Sequence, residues 1–555
     1  SAKVMAEVAK KIRTLGIKTG LQIANTIGHG LSLLQDDSGA KWPLMIDADG
    51  LSSSPTPCPR SKEVLSYIAT MTILYANWQP SSIWIDDDLR MNQHGALKYG
   101  CFCSVCVSQF SKVQKKKFNR QSLVKALHHP KDGAIRLAWT QFNSESLAGI
   151  GAVIAKATHA VAPNCRLGFQ QIGHEPLLYS GATGSPTLEA LAEFSKRPSG
   201  ARLGHGYYTD HSPRQMINKA FMISRQVSRL SDCVDQICPE IEGYTHNAFG
   251  KSAHGMAIES ALDLAVGCNS LSYAILCSGH EPMSWYETLL SRLAKYRPFY
   301  DKLVALNLNT SVSGIDIRLG LNQVSRPIQA KEAAFAWSAV KLDSLYDLAS
   351  LGLPLSADTK KSHGVILHAD AVAGFSDKEL KEILSSGVMM DGLAALRIQE
   401  RGLGKLLGAK VEIINKPVPY RERISEDSLN GIFAGKLWNA SSNNSGAYVL
   451  TPLSKAHRAL GFYEDRFEIS HGLSTALIEN KNGGRVAIFG YYGRDSAPSG
   501  SKRHQYLAAA DWISGNKLPV INKTIAQVMV VPRVNAKGQL VSVFLLNTSI
   551  DKTAP

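Results

Sequence analysis

Four cysteines and two acidic strand ends carry most of the chemistry legible in this chain. Cys101, Cys103 and Cys106 fall within six residues, and Cys58 lies well upstream. One tight loop can gather three such thiols, and a fourth from a distant segment completes the tetrahedral sulfur shell that Zn²⁺ prefers. Four thiolates leave no open position for water, so the zinc expected here is structural, with free thiols as the alternative. Between these cysteines, Ser82-Ile-Trp-Ile reads as a buried strand that ends in Asp86, Asp87 and Asp88. Like charges held together raise one another's pKa, which makes one of the three a candidate general acid. A Ca²⁺ site, or salt bridges to Arg90 and Lys98, are the competing uses. A second acidic end, Gln236-Ile-Cys-Pro-Glu-Ile-Glu242, puts Glu240 and Glu242 on one face of an extended segment. Two such ends facing each other supply the proton donor and second carboxylate of glycosidic cleavage. Pairing of the glutamates with arginines such as Arg202 is the plainer use.

Parallel βα units are the elements expected to position these groups. Strand-like and helical stretches alternate through the first 300 residues without hairpin signals. Strands are expected at 19–25, 82–86, 166–171, 201–205, 234–238 and 270–276, with helices at 2–14, 61–77 and 138–160. Each strand leads into polar residues at its C-terminal end, where a (β/α)8 TIM-type barrel builds its active site. The chain opens on a helix, so the first barrel strand is expected to be missing. From about 302 the texture becomes that of a smaller flavodoxin-like α/β unit, with strands at 364–370, 387–391 and 484–490. Beyond about 520, Val528–Pro532 and Leu540–Leu546 read as a hairpin of a further β-rich piece. The expected domains are therefore 1–301, 302–520 and 521–555.

Composition excludes several function classes. The 555 residues are 44% apolar and 19% charged, an ordinary folded balance for two or three domains. No run approaches the roughly 20 apolar residues of a membrane helix, and the N-terminus reads as an amphipathic helix rather than a signal peptide. A soluble protein is expected, of the cytoplasm or, where an export signal has been removed, of the periplasm. Nine cysteines in so long a chain do not form a disulfide framework; Cys165, Cys233, Cys238, Cys268 and Cys277 read as small hydrophobes. The net charge of +15 favours anionic partners. No zinc-finger His pair, aromatic-studded basic strand or helix-turn-helix pattern accompanies it, so nucleic acid is not expected. The basic run Lys115-Lys116-Lys117, with Lys112 and Arg120, reads as a solvated helix face.

These motifs, in this order, resemble glycoside hydrolase family 42, the clan A β-galactosidases. Cys58-Pro59, a helix, a Trp strand ending in acids, His94-Gly95 and the C-F-C-S-V-C of 101–106 match the family's zinc loop and acid strand end. Glu242 with its following helix resembles the strand end that holds the nucleophile, and Gly364–Gly408 resembles the trimerisation domain. The resemblance implies a retaining hydrolase with Asp88 as acid/base, Asp87 binding substrate and Glu242 as nucleophile, about 5–5.5 Å from its partner. Glu240 becomes the nucleophile if it is the glutamate that faces the cavity. It further implies a structural zinc on the four cysteines and a homotrimer. The family carries Asn-Glu where this chain has Asp87-Asp88, which marks a divergent relative.

Asn25, His205, Tyr207, His246 and Trp285, together with His29, Gln171, His174, Glu175, His280 and Glu281, stand at strand ends where they can bind or stack on a sugar. The substrate expected is a galactan or galacto-oligosaccharide; the basic charge favours a sulfated chain of the carrageenan type. The alternative is a carbohydrate-binding or scaffolding homologue that has lost the Glu acid/base.

Overall fold

A computed structural model describes residues 2–27, 42–91, 99–171, 184–210, 213–243, 247–276, 281–320, 322–326, 328, 335, 347–357, 362–414, 421–439, 447–491 and 499–549. Six parallel strands form the first sheet in chain order. They are β1 (Gly20–Ile23), β2 (Ser82–Ile85), β3 (Arg166–Gln171), β4 (Ser199–Leu203), β5 (Val234–Glu242) and β6 (Ser272–Ala274). Helices α1 (Ala2–Arg13), α2 (Lys62–Ala76), α3 (Ser104–Val113), α4 (Gly133–Val161), α5 (Ser185–Ser195), α6 (Pro213–Val227), α7 (Ala253–Ala265) and α8 (Glu287–Asn307) accompany it. All six of the expected strands start within two residues of their observed positions. The fifth runs on through both glutamates, so the acidic end is part of the ladder rather than beyond it.

The sheet curls. Arg202 on β4 donates from Nη1 to Gln22 Oε1 on β1 at 3.3 Å, although three strand spacings in a flat sheet would separate them by about 14 Å. Trp84 of β2 occupies the concave side. A Cβ built on Gly168 of β3 or Gly200 of β4 would come within 2.3 or 2.6 Å of its ring, so these two strands stay bare at that level. Among the described residues β1 and β6 are not paired with each other, and the sheet is an open part of a barrel.

The second unit has the flavodoxin strand order. Strands β7 (Gly314–Ile317), β8 (Leu355–Ser356), β9 (Ser362–Leu367), β10 (Gly387–Asp391) and β11 (Arg485–Phe489) lie side by side in parallel as β8-β7-β9-β10-β11, the 2-1-3-4-5 order of that fold. Ser470–Glu479 pairs antiparallel with β11, and His457–Glu464, Arg421–Ile424 and Leu437–Asn439 extend the sheet further. The sequence reading missed this antiparallel wing. The hairpin Val528–Asn535/Leu540–Asn547 is present as expected and takes Thr310–Val312 as a third strand.

Helix α8 runs to Asn307, past the expected limit at 301. Buried arginines join the two units: Arg136 donates to the carbonyls of Leu127, His129, Val324 and Arg326, and Arg225 to that of Ile317. Among the described residues, no helix is long and apolar enough to cross a membrane.

Candidate active site and thiol cluster

Ladder pairing sets the direction of the two glutamates. Ile241 is fully buried against Met256, Tyr286 and Leu289 on the helix side. Side chains alternate along a strand, so Glu240 and Glu242 point to the concave side. There Glu240 Oε1 accepts from Gln170 Nε2 of β3 at 2.5 Å and from Arg202 Nη2 of β4 at 3.2 Å. Burial pushes the Glu240 carboxyl up to about 7; Arg202 pulls against this, and the neighbouring Glu242 and Asp87 add to it. Tyr208 lies in the same field: burial first, then Glu240, Glu242 and Asp87, push its phenol up to about 12. Asp87, Glu240, Glu242 and Tyr208 therefore share one charged neighbourhood, where the acidic end of β2 approaches that of β5.

The carboxyl that joins this neighbourhood belongs to Asp87, and Asp88, the acid/base implied by the resemblance, turns away from it. Asp88 is fully buried, and its Oδ2 accepts from Thr26 N at 2.6 Å, Thr26 Oγ1 at 2.9 Å and Ile27 N at 3.0 Å. It caps the chain where β1 ends. The expected reach of Asp88 fails for a local reason: the two amides past the end of β1 need an acceptor, and Asp88 is the acceptor they meet. Asp87 pairs with Arg90 Nη1 at 2.6 Å, and Asp86 accepts from the Asp87 amide.

The remaining candidates divide. Asn25 and His205 are half-buried just past β1 and β4. Tyr207 is buried: its hydroxyl donates to Asp210 Oδ1, and Lys251 Nζ sits 4.2 Å from its ring centre, so the tyrosine among the carboxyls is its neighbour Tyr208. Trp285 is half-exposed, edge-on to the exposed Phe249 at 5.7 Å. Glu281 ties the two loops by accepting from Ala248 N and Tyr286 Oη. Gln171 is buried and donates to Gln226. His246, His29, His174, Glu175 and His280 lie outside the described residues. Gln22, Gln170 and Tyr208 were not expected as site residues. For the two glutamines, the signal was period-2 spacing with Trp84 and Arg202 in their paired strands.

The four cysteines converge as expected. Cys58 follows the hairpin Leu44–Ile46/Ser52–Pro57, Cys103 is the N-cap of α3 and Cys106 lies in its first turn. Cys58 Sγ is 3.5 Å from Cys106 Sγ and 3.6 Å from Cys103 Sγ, and all four sulfurs lie within 4.8 Å of one another. A tetrahedron with metal–sulfur bonds of about 2.3 Å has edges of about 3.8 Å, so the set can hold a metal ion. Trp139 is fully buried beside the loop and donates from Nε1 to Tyr99 O at 2.7 Å. Gly100 has φ +108°, and a Cβ there would fall 2.7 Å from Asn143 and 3.0 Å from Trp139, which leaves room only for glycine. The basic run is not a helix face: α3 ends at Val113, and exposed Lys115, Lys116 and Lys117 form the turn before the helix Arg120–Leu127.

No family model and no curated protein matches the sequence. Solved structures do match the fold. A β-galactosidase from Bacillus circulans sp. alkalophilus has a TM-score of 0.64 at 11% identity, covering 96% of this chain and 84% of its own. Gan42B, a family 42 β-galactosidase from G. stearothermophilus, scores 0.63 at 13% identity over 99% and 85%. A β-galactosidase from Rahnella sp. R3 scores 0.62 at 11% over 96% and 84%. The chain thus has the TIM-barrel and flavodoxin-like fold of family 42 glycoside hydrolases.

Proposed function

We propose that this protein is a retaining glycoside hydrolase of β-galactosidase type. The carrying observation is the shared charged neighbourhood of Asp87, Glu240 and Glu242 at the C-terminal ends of two strands of a parallel barrel sheet, where such barrels place their chemistry. Glu242 attacks the anomeric carbon while Asp87 protonates the departing oxygen. Asp87 then takes a proton from the water that releases the sugar. Glu240, fixed by Gln170 and Arg202, adds negative charge beside the developing oxocarbenium ion once it is ionised. Asp87 takes the role first assigned to Asp88, because the Asp88 carboxylate is engaged with Thr26 and Ile27.

The four cysteines hold a structural Zn²⁺ in this reading, clamping the chain that follows β2. The resemblance also supports a homotrimer, which light scattering would test. A galactan or galacto-oligosaccharide fits the fold's relatives, and the net charge of +15 favours a sulfated chain. Assays of aryl β-galactosides, then of neutral and sulfated galacto-oligosaccharides, test the proposal; absence of turnover on all of them refutes it. The capping role of Asp88 favours one second reading, a carbohydrate-binding homologue without catalysis. Calorimetric binding of galacto-oligosaccharides without hydrolysis would mark it.

A further inference from the structure

Beneath the two glutamates lies a fully buried charge network that the catalytic reading does not use. Pairing of β4 with β5 stops at Leu203–Pro239, while pairing of β5 with β6 begins at Glu240. Past Pro239, β4 no longer satisfies the backbone of β5 along that edge, and buried carbonyls need donors. Two lysines supply them. Lys219 of α6 donates to Glu240 O, and Lys251, just before α7, donates to Glu242 O at 3.2 Å and to Tyr207 O at 2.6 Å. Both also bond one carboxylate: Glu259 Oε1 meets Lys219 at 2.7 Å and Oε2 meets Lys251 at 2.5 Å. The side chains of Lys219, Lys251 and Glu259 are at most 2% exposed.

From this arrangement we infer that Lys219 and Lys251, locked together by Glu259, are positioning residues that fix the Glu240-Ile-Glu242 strand end. Each ammonium holds the main chain of one glutamate, and Lys219 also places a positive charge behind the Glu240 carboxyl. Burial pulls Lys219 down, but Glu259 and Asp263 outweigh it and keep the ammonium charged. Lys251 is lowered by burial, with Glu259 opposing. A Lys inside so apolar a stretch as Asn218-Lys-Ala-Phe-Met-Ile223 is costly unless paired, and here the pairing is made under the reactive strand end.

The groups facing Glu240 are Gln170 on β3, Arg202 and the following Tyr208 from β4, Asp87 after β2, Glu242 on its own strand and Lys219 from α6. Removing Lys219 removes an attraction for the ionised carboxyl, so the Glu240 pKa must rise. The inference rests on the hydrolase reading for its functional weight, but its electrostatic part does not. Infrared difference titration of the whole protein reads the Glu240 carboxyl band without substrate. Loss of the band in Glu240→Gln assigns it, and Asp263→Asn separates a second buried carboxyl, which burial also pushes up to about 7.

Lys219→Met is expected to move the Glu240 band to higher pH by about half a pH unit or more. On an aryl galactoside it is expected to lower kcat about tenfold or more with KM nearly unchanged, since the strand end loses its register. Lys251→Met should lower kcat alike, with Lys251→Arg recovering part of it. If Lys219→Met does not fold, Lys219→Gln removes the charge while keeping an amide donor, and its Glu240 band is read in the same way. A folded variant with an unmoved Glu240 band and wild-type kcat would overturn the inference. A wild type without hydrolytic activity would instead defeat the hydrolase reading, while the infrared shift would still decide whether Lys219 holds Glu240.

Discussion

Asp87 and Asp88 are neighbours in sequence with opposite fates in space, and substitution separates them. Asp88 Oδ2 serves three donors of Thr26 and Ile27 in a region at most 2% exposed. A buried donor left without a partner costs about 1–3 kcal/mol. Asp88→Ala strands the two amides, the Thr26 hydroxyl being free to turn elsewhere, and should therefore lose about 2–6 kcal/mol. Asp88→Asn keeps one acceptor oxygen of the same reach and should lose about 1–2 kcal/mol. Asp87→Asn removes the proton donor instead: kcat should fall about 10²- to 10⁴-fold, with a stability loss of about 1–3 kcal/mol because the buried Arg90 keeps only a neutral acceptor. Urea unfolding followed by Tyr and Trp fluorescence, beside hydrolysis of aryl β-galactosides with graded leaving groups, reads both quantities. Activated leaving groups need no proton, so Asp87→Asn should keep kcat/KM near wild type on the most acidic phenol, while kcat stays low because the water of the second step still lacks its base. An Asp88→Asn variant of wild-type stability whose kcat falls a thousandfold would refute the assignment and return the acid/base role to Asp88.

Glu240 gives a pH prediction. Its carboxyl titrates at about 7 in the fold, against 4.5 for an unperturbed glutamate, so the folded chain keeps a proton that the unfolded chain has released. Stability from this source is whole below the unfolded pKa and is lost as pH rises through 7, up to about 3 kcal/mol. The difference in urea midpoint between wild type and Glu240→Gln should therefore change across that window; a constant difference would count against a buried, protonated Glu240. Metal analysis should find one zinc per chain, and Cys103→Ser should lower that ratio and the stability of the 99–113 segment to proteolysis. Purified protein without stoichiometric metal would leave the thiols free. Gly100→Ala should cost several kcal/mol, since it combines a left-handed φ with contacts to Asn143 and Trp139; a midpoint within error of wild type would show that the loop yields.

The sequence made the parallel strands and the cysteine quartet legible because both are local. Strand β2 ends in carboxylates that a buried run cannot hold, and three thiols in six residues are clustered before any folding. The flavodoxin-like unit was readable from β9, α9 (Asp377–Leu384, with its Ser376 capping box) and β10. Its antiparallel wing was not, because pairing such as that of Arg421–Ile424 with His457–Glu464 depends on register across intervening chain. At the site, alternation along β5 identified both glutamates as facing one way. It could not show that Asp88 would be taken by the amides of Thr26 and Ile27, over 60 residues away. Nor could it show that Lys219 and Lys251 would complete a ladder edge that β4 abandons.

Mechanism-based labelling tests the central claim most directly. A 2-deoxy-2-fluoro-galactosyl fluoride should galactosylate the enzyme with loss of the anomeric fluoride and turn over slowly, and peptide mass spectrometry should place the sugar on Glu242, with Glu242→Gln unlabelled. A label on Glu240, or none on a protein that hydrolyses the parent galactoside, would contradict the account.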